Sequence, residues 1–179
     1  MGIAQGDALA RAMGTFTLER VLSSPLSRCV RTAVPSAARF SLEVEEEPLL
    51  LEISHGVWEG RLRDELAQND AVRYRQWREE PAIVEFEGGE TVAAVLDRWR
   101  AFVAAFEPQG DTLIVTHDAV VRVALVDRLQ RELSTFWDVR VLNGAYAWFT
   151  VENNRWTLQD ECVSDHLAGI VADPSTQAL

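Results

Sequence analysis

Positive charge, histidine and cysteine are all scarce in this chain. Its 179 residues hold 28 acidic side chains against 17 basic ones, a formal net charge of −11. A surface so acidic repels phosphate backbones and anionic lipid, so neither a nucleic acid nor a membrane face is an expected partner. Any phosphate-bearing ligand must be met by a local basic pocket. The two cysteines, Cys29 and Cys162, stand far apart without CxxC spacing, which argues against a zinc site or a disulfide framework. Two reduced thiols suit the cytoplasm. No apolar run approaches the roughly 20 residues of a membrane span. The first twelve residues, with Asp7 and Arg11 and no apolar core, do not read as a signal peptide. Internal repeats and linkers are also missing. What is present, 47% apolar side chains, is enough for one well-buried domain.

Strand and helix signals alternate along the chain. Residues 3–14 read as a short helix ended by Gly14, and "ERVLSS" as a short strand, with Pro25 suited to the first turn of the next helix. "SLEVEEEPLL" alternates until Pro48 stops it. Residues 61–79 look helical and charged. Val92, Val95, Leu96, Trp99, Val103 and Phe106 recur at helical spacing. "DTLIVTH" is the wholly apolar kind of strand found inside parallel sheets, and residues 118–130 form the helix after it. "GAYAWFTVE" and "RWTLQD" flank Asn153-Asn154 as a hairpin, and the tail after Gly169 reads as loose. The expected fold is a three-layer α/β/α domain with a mixed, mostly parallel central sheet. Its bounds are residues 1–168, with a tail at 169–179.

Two strand–helix junctions invite chemistry. His117 ends the "DTLIV" strand just before a helix, where open α/β sheets gather ligands and helix N-terminal N–H groups face anions. Arg28 occupies the equivalent place after "VLSS", and arginine grips phosphate oxygens bidentately. The plainer alternative makes Arg28 a solvated helix residue and His117 a helix cap. "LLLEISHGVWEG" adds Glu52 at the end of an apolar stretch, where burial would raise its pKa and suit it as a proton donor. Gly56, Gly60 and an exposure-prone Trp58 suggest a tight loop. Glu59 reads as surface charge, His55 as a loop residue without a chemical role, and His166 as structural. Glu90, at a helix start, is favoured by the helix dipole whatever else it does.

In this order the stretches resemble the histidine phosphatase superfamily, the phosphoglycerate mutase-like fold. "SSPLSRCVRTA" is similar to the family's Ser-Pro-Leu-x-Arg-x-x-x-Thr-Ala segment, and "LEISHGVWEG" to its Leu-x-Glu-x-x-x-Gly-x-Trp-Glu-Gly loop. "GGET", "VTHDAVVR" and "WTLQDECVSDHL" resemble later landmarks, so the likeness runs from Met1 to about residue 168. It implies that Arg28 and His117 bind phosphate, that Glu52 and His117 are catalytic, and that Glu90 and Asp118 contact substrate. It implies no cofactor and no metal. The implied activity is hydrolysis of a small phosphorylated metabolite, and mutase activity is the less expected outcome.

One family landmark is missing. The family opens with a strand ending in Arg-His-Gly, whose histidine becomes phosphorylated, and that tripeptide occurs nowhere in this sequence. The family's fold places that strand beside the one ending in His117. Without it, two apolar edges stand bare or are forced together, and unpaired buried backbone groups cost on the order of 1–3 kcal/mol each. A hole is therefore not expected; the start lies further upstream, the chain is shortened, or the sheet closes anew. Three functions remain open. One is a phosphomonoesterase that is inactive until an upstream strand is restored. Another is a pseudoenzyme that binds a phosphorylated metabolite, and a third is an enzyme of changed chemistry using Glu52 and His117. Unpaired sheet edges would also favour a homodimer.

Overall fold

In the computed structural model, which describes residues 2–153 and 155–170, strands and helices alternate over most of the chain. Helix α1 (Gly2–Ala12) leads to β1 (Leu18–Ser23), α2 (Ser27–Arg39) and β2 (Val44–Glu46). Two short helices, α3 (Arg63–Asn69) and α4 (Ala71–Glu79), precede α5 (Val92–Ala105), β3 (Asp111–Val115) and α6 (Asp118–Arg128). A hairpin of β4 (Tyr146–Glu152) and β5 (Arg155–Val163) follows. No helix among the described residues is long and apolar enough to cross a membrane.

The three-layer α/β architecture is as expected, with the described strands divided between two sheets. β2, β1 and β3 make a parallel sheet in that order, with Val21 opposite both Val44 and Leu113. Among the described residues β4 and β5 pair only with each other, antiparallel. The edges of β3 and β4 that lack a strand partner flank a cleft of about 2010 Å³, which both elements line. The hole excluded on energetic grounds is therefore present. Two cores run past it on either side. Leu9, Met13, Leu113 and Val115 pack with Tyr146 on one side. Trp99, Phe106, Val120 and Ile114 pack with Phe149, Val151 and Trp156 on the other.

Three local expectations need correction. The charged stretch 61–79 breaks at Asp70, which ends α3 and precedes α4 with extended φ of −139°. Asp70 is held there because its carboxylate accepts the Trp58 indole N–H at 3.0 Å. Trp58 itself is 1% exposed, enclosed by Tyr74 and Phe86, so it is a core residue of the loop. Pro25 lies outside α2, whose N-cap is Leu26, and Pro35 sits within that helix instead. Of the tail, residues 171–179 lie outside the described residues.

Candidate active site

Three parallel strands end at one edge of the sheet, and each hands the chain to a turn that carries a polar side chain. After β1, Ser24 and then Arg28 on the first turn of α2 face the turn after β3. His117 is the N-cap residue of α6, with φ −118° and ψ 166°, yet its ring makes no capping bond. It turns instead to the neighbouring junction. Arg28 Nε donates to His117 Nδ1 at 3.2 Å, and His117 Nε2 lies 2.7 Å from Ser24 Oγ. Because a guanidinium only donates, Nδ1 is the unprotonated nitrogen and Nε2 carries the hydrogen to Ser24. The Cys29 thiol packs on the same ring, 3.4 Å from Nε2.

Glu52 completes the cluster. Its Oε2 is 3.8 Å from His117 Nδ1, and its Oε1 accepts the Ile53 N–H at 3.0 Å. The loop that carries it is clamped at both ends. Upstream, Leu50 C=O accepts from Thr116 Oγ1 at 2.7 Å, and Leu49 C=O accepts from Arg98 Nη1 at 2.8 Å. Downstream, the Glu90 carboxylate accepts the Ser54 N–H at 3.0 Å while Arg98 Nε donates to its other oxygen at 2.9 Å. Two glycines permit this contact. A Cβ on Gly56, at φ +54°, would lie 2.0 Å from Glu87 O, and one on Gly89 2.4 Å from Ser54 O.

Burial decides the charge states. It pushes Glu52 up to about 7, helped by Asp118 and opposed by the Ile53 N–H and Arg28, so its carboxyl carries a proton for part of the time at neutral pH. His117 is pushed down to about 3 by burial first, then by the guanidinium charges of Arg28 and Arg98. The imidazole is thus neutral in the free protein. Burial pushes the Cys29 thiol up to about 11, so it is packing material and no nucleophile. The surrounding chain can therefore present an exposed guanidinium, a neutral imidazole and a carboxylic acid to one anion.

Of the residues singled out in the sequence, Arg28, Glu52 and His117 converge. Asp118 starts α6 beside them, but its carboxylate accepts from Arg122 Nε at 2.7 Å. Glu90 is committed to Arg98 and Ser54 as described. Glu59 is exposed and accepts from Ser54 Oγ at 2.7 Å. His55 is buried edge-on against Trp77 and Phe86, where burial lowers its pKa. His166 reaches the Gly144 carbonyl through Nε2 at 2.8 Å. Sequence reasoning overlooked Ser24, Cys29, Thr116 and Arg98. Ser24 and Cys29 stood inside the "SSPLSRC" stretch, but Arg98 shows no signal beyond its place on a helix.

The family model for the histidine phosphatase superfamily (branch 1) matches residues 1–163. Phosphoserine phosphatase 1 of Hydrogenobacter thermophilus is 32% identical over 169 residues, 93% of this chain and 80% of that protein. The adenosylcobalamin/alpha-ribazole phosphatase of Escherichia coli is 27% identical over 161 residues, 88% of this chain and 79% of that protein. Among solved structures, Bacillus stearothermophilus YhfR superimposes with a TM-score of 0.84 at 21% identity, covering 92% of this chain and 84% of its own. The chain belongs to the histidine phosphatase superfamily.

Proposed function

We propose that this chain carries the phosphate pocket and proton donor of a phosphomonoesterase acting on a small phosphorylated metabolite. The convergence of Arg28, His117 and Glu52 at the carboxyl edge of a parallel sheet is the observation that carries this reading. Relatives named for phosphoserine and alpha-ribazole phosphates support the substrate class. The phosphoryl group would sit on the exposed Arg28 fork and the α6 N-terminus, displacing the Arg28–His117 contact; His117 would then carry its proton on Nδ1 toward the anion while Nε2 accepts from Ser24 Oγ. Glu52, partly protonated at neutral pH, would protonate the leaving oxygen and then, as carboxylate, activate the water that cleaves the phosphoenzyme.

The phosphoryl acceptor is a histidine that this sequence does not supply. His117 has its lone pair turned to Arg28, His55 is enclosed by aromatic rings, and His166 is bonded to Gly144. The same observation favours a second reading for the chain by itself, a pocket that binds phosphate without turning it over. In both readings the chain alone yields no phosphoenzyme. Glu52 and His117 acting together on a non-phosphate bond are the less favoured choice, because the relatives are named as phosphatases.

The test is anion binding. Vanadate or inorganic phosphate should raise the melting temperature, adding about 2.7 kcal/mol at a hundred times the dissociation constant. Arg28→Ala should abolish most of that shift. Arg39→Ala, at the far end of α2, should leave it intact. A shift that survives Arg28→Ala, or no shift at several millimolar, rejects the pocket.

A further inference from the structure

We infer that Arg98 is a positioning residue for Glu52, because through Leu49 and Glu90 it fixes both ends of the loop that holds this carboxyl beside His117. The loop itself supplies the first observation. Residues 51–55 belong to no helix or strand, so their backbone groups need partners from elsewhere. The Ile53 N–H is taken by the Glu52 side chain. Ser54 is held twice by one residue: its N–H donates to Glu90 Oε2 at 3.0 Å, and its C=O accepts the Glu90 N–H at 2.8 Å. On the other side of Glu52, the Leu49 C=O accepts from Arg98 Nη1 at 2.8 Å.

One guanidinium joins those two anchors. Arg98 Nε donates to Glu90 Oε1 at 2.9 Å and Nη2 to Glu90 Oε2 at 3.2 Å, which leaves Nη1 for Leu49. A planar fork can grip a carboxylate with two donors and still reach a carbonyl with a third; an ammonium cannot. The element beneath it is firmly seated. Thr91 caps α5 by accepting the Ala94 N–H at 3.1 Å, and Val92, Val95 and Trp99 bury the helix in the core. Arg98 stands about two turns into that helix. Helical side chains lean toward the N-terminus, so its fork reaches back to Glu90 in front of the cap.

The consequence falls on the charge state of Glu52. Its carboxyl faces His117 and Asp118 from the start of α6 and Arg28 from α2, yet burial is what chiefly raises it. That burial lasts only while the loop stays pressed against the sheet edge. Released at its ends, the loop admits water, and the carboxyl returns toward its ordinary 4.5. Loss of the Arg98 charge by itself acts the other way, because removing a cation raises a neighbouring carboxyl. Position and charge therefore predict opposite signs. His117 reports the charge separately, since the Arg98 guanidinium is one of the groups that lower it. The use of Glu52 as a proton donor rests on the functional reading above, whereas the clamp does not.

The experiment follows the Glu52 and His117 side chains through a pH titration of the whole chain by NMR, with Glu52→Gln identifying the glutamate signal. Arg98→Met should lower the Glu52 pKa by about one unit or more and raise that of His117. Arg98→Lys keeps the charge and loses the fork. It should leave His117 as low as in the parent and still lower Glu52, and it carries the test if Arg98→Met does not fold. Arg100→Met breaks an ion pair with Asp127 from the same helix, away from the loop, and should leave Glu52 unmoved. Three outcomes overturn the inference. An unchanged or raised Glu52 in Arg98→Met means that the loop does not depend on Arg98. Full retention of the parent value in Arg98→Lys means that charge alone acts. An equal fall in Arg100→Met means general loosening. Vanadate binding, read on the same samples, separates this result from the functional reading. A parent chain that binds no vanadate while Glu52 responds to Arg98 rejects the phosphate pocket and keeps the clamp. Vanadate binding with an unresponsive Glu52 does the reverse.

Discussion

The two sheets of this molecule solve different problems. In the three-stranded sheet every strand runs the same way, and the turns after β1 and β3 aim Ser24, Arg28 and His117 at one point. The hairpin runs back on itself, alternates half-buried and exposed side chains, and contributes none of those groups. It packs Ala147, Phe149 and Leu158 against Leu125 and Val126 of α6, serving as a wall. Parallel strands gather their carboxyl ends on one edge and so concentrate helix starts there; an antiparallel pair cannot do so. The proposed chemistry belongs to the parallel sheet, and the hairpin walls it on one side.

The strongest way to break that division is to disable the proposed proton donor. In a chain supplied with a histidine-bearing strand, Glu52→Gln should slow hydrolysis by roughly 10²–10⁴-fold, the usual value of general acid catalysis. The loss should shrink for p-nitrophenyl phosphate, whose leaving oxygen needs little protonation. Equal losses for good and poor leaving groups, measured as kcat ratios, would make Glu52 a structural residue. Glu59→Gln, exposed and bonded only to Ser54 Oγ, should change little.

A second test uses stability instead of turnover. The Glu52 carboxyl is raised from 4.5 to about 7 on folding, so the folded state holds its proton more tightly, and this contribution to stability disappears as pH rises through 7. His117 is lowered from 6.5 to about 3, so its contribution is present above 6.5 and lost as pH falls. Between pH 4.5 and 6.5 the two slopes have opposite signs and cancel. Glu52→Gln removes one of them. Relative to the parent, the variant should lose about 3 kcal/mol on going from pH 6.5 to 4.5, from one proton over two pH units. Urea unfolding of both proteins across that window checks it. Parallel pH profiles would show that Glu52 is not held in the acid form.

How much of this could be read beforehand follows the same division. Arg28, Glu52 and His117 are visible in sequence because each sits at a local signal: a strand end, a helix start, the close of an apolar run. The hairpin was equally visible, because its turn and its alternation are local. The division of the sheet was not, since it depends on which strand lies next to β3, a long-range fact that no window of residues contains. Trp58 failed for the same reason. Its loop looked exposed, and only Asp70, twelve positions later, supplies the acceptor that lets the indole be buried. Arg98 reads as an ordinary helix charge until the fold brings Leu49 and Glu90 to it.

The smallest expected effect compares one tryptophan from each side. Trp58, in the Glu52 loop, donates its indole N–H to Asp70 at 3.0 Å. Trp156, on β5, is comparably buried, and its N–H has no partner among the described residues. Replacement by phenylalanine removes similar ring area from each, so the transfer and cavity terms are alike. The hydrogen-bond terms differ in sign. Trp58→Phe deletes a hydrogen bond to a half-exposed carboxylate that Arg73 also reaches at 3.5 Å, at a cost of about 1 kcal/mol, whereas Trp156→Phe deletes a donor already desolvated for nothing. Trp58→Phe should therefore be the more damaging of the two by about 1 kcal/mol in chemical denaturation. Equal losses would mean that the Trp156 N–H is satisfied in solution, and the contrast between the two tryptophans would fail.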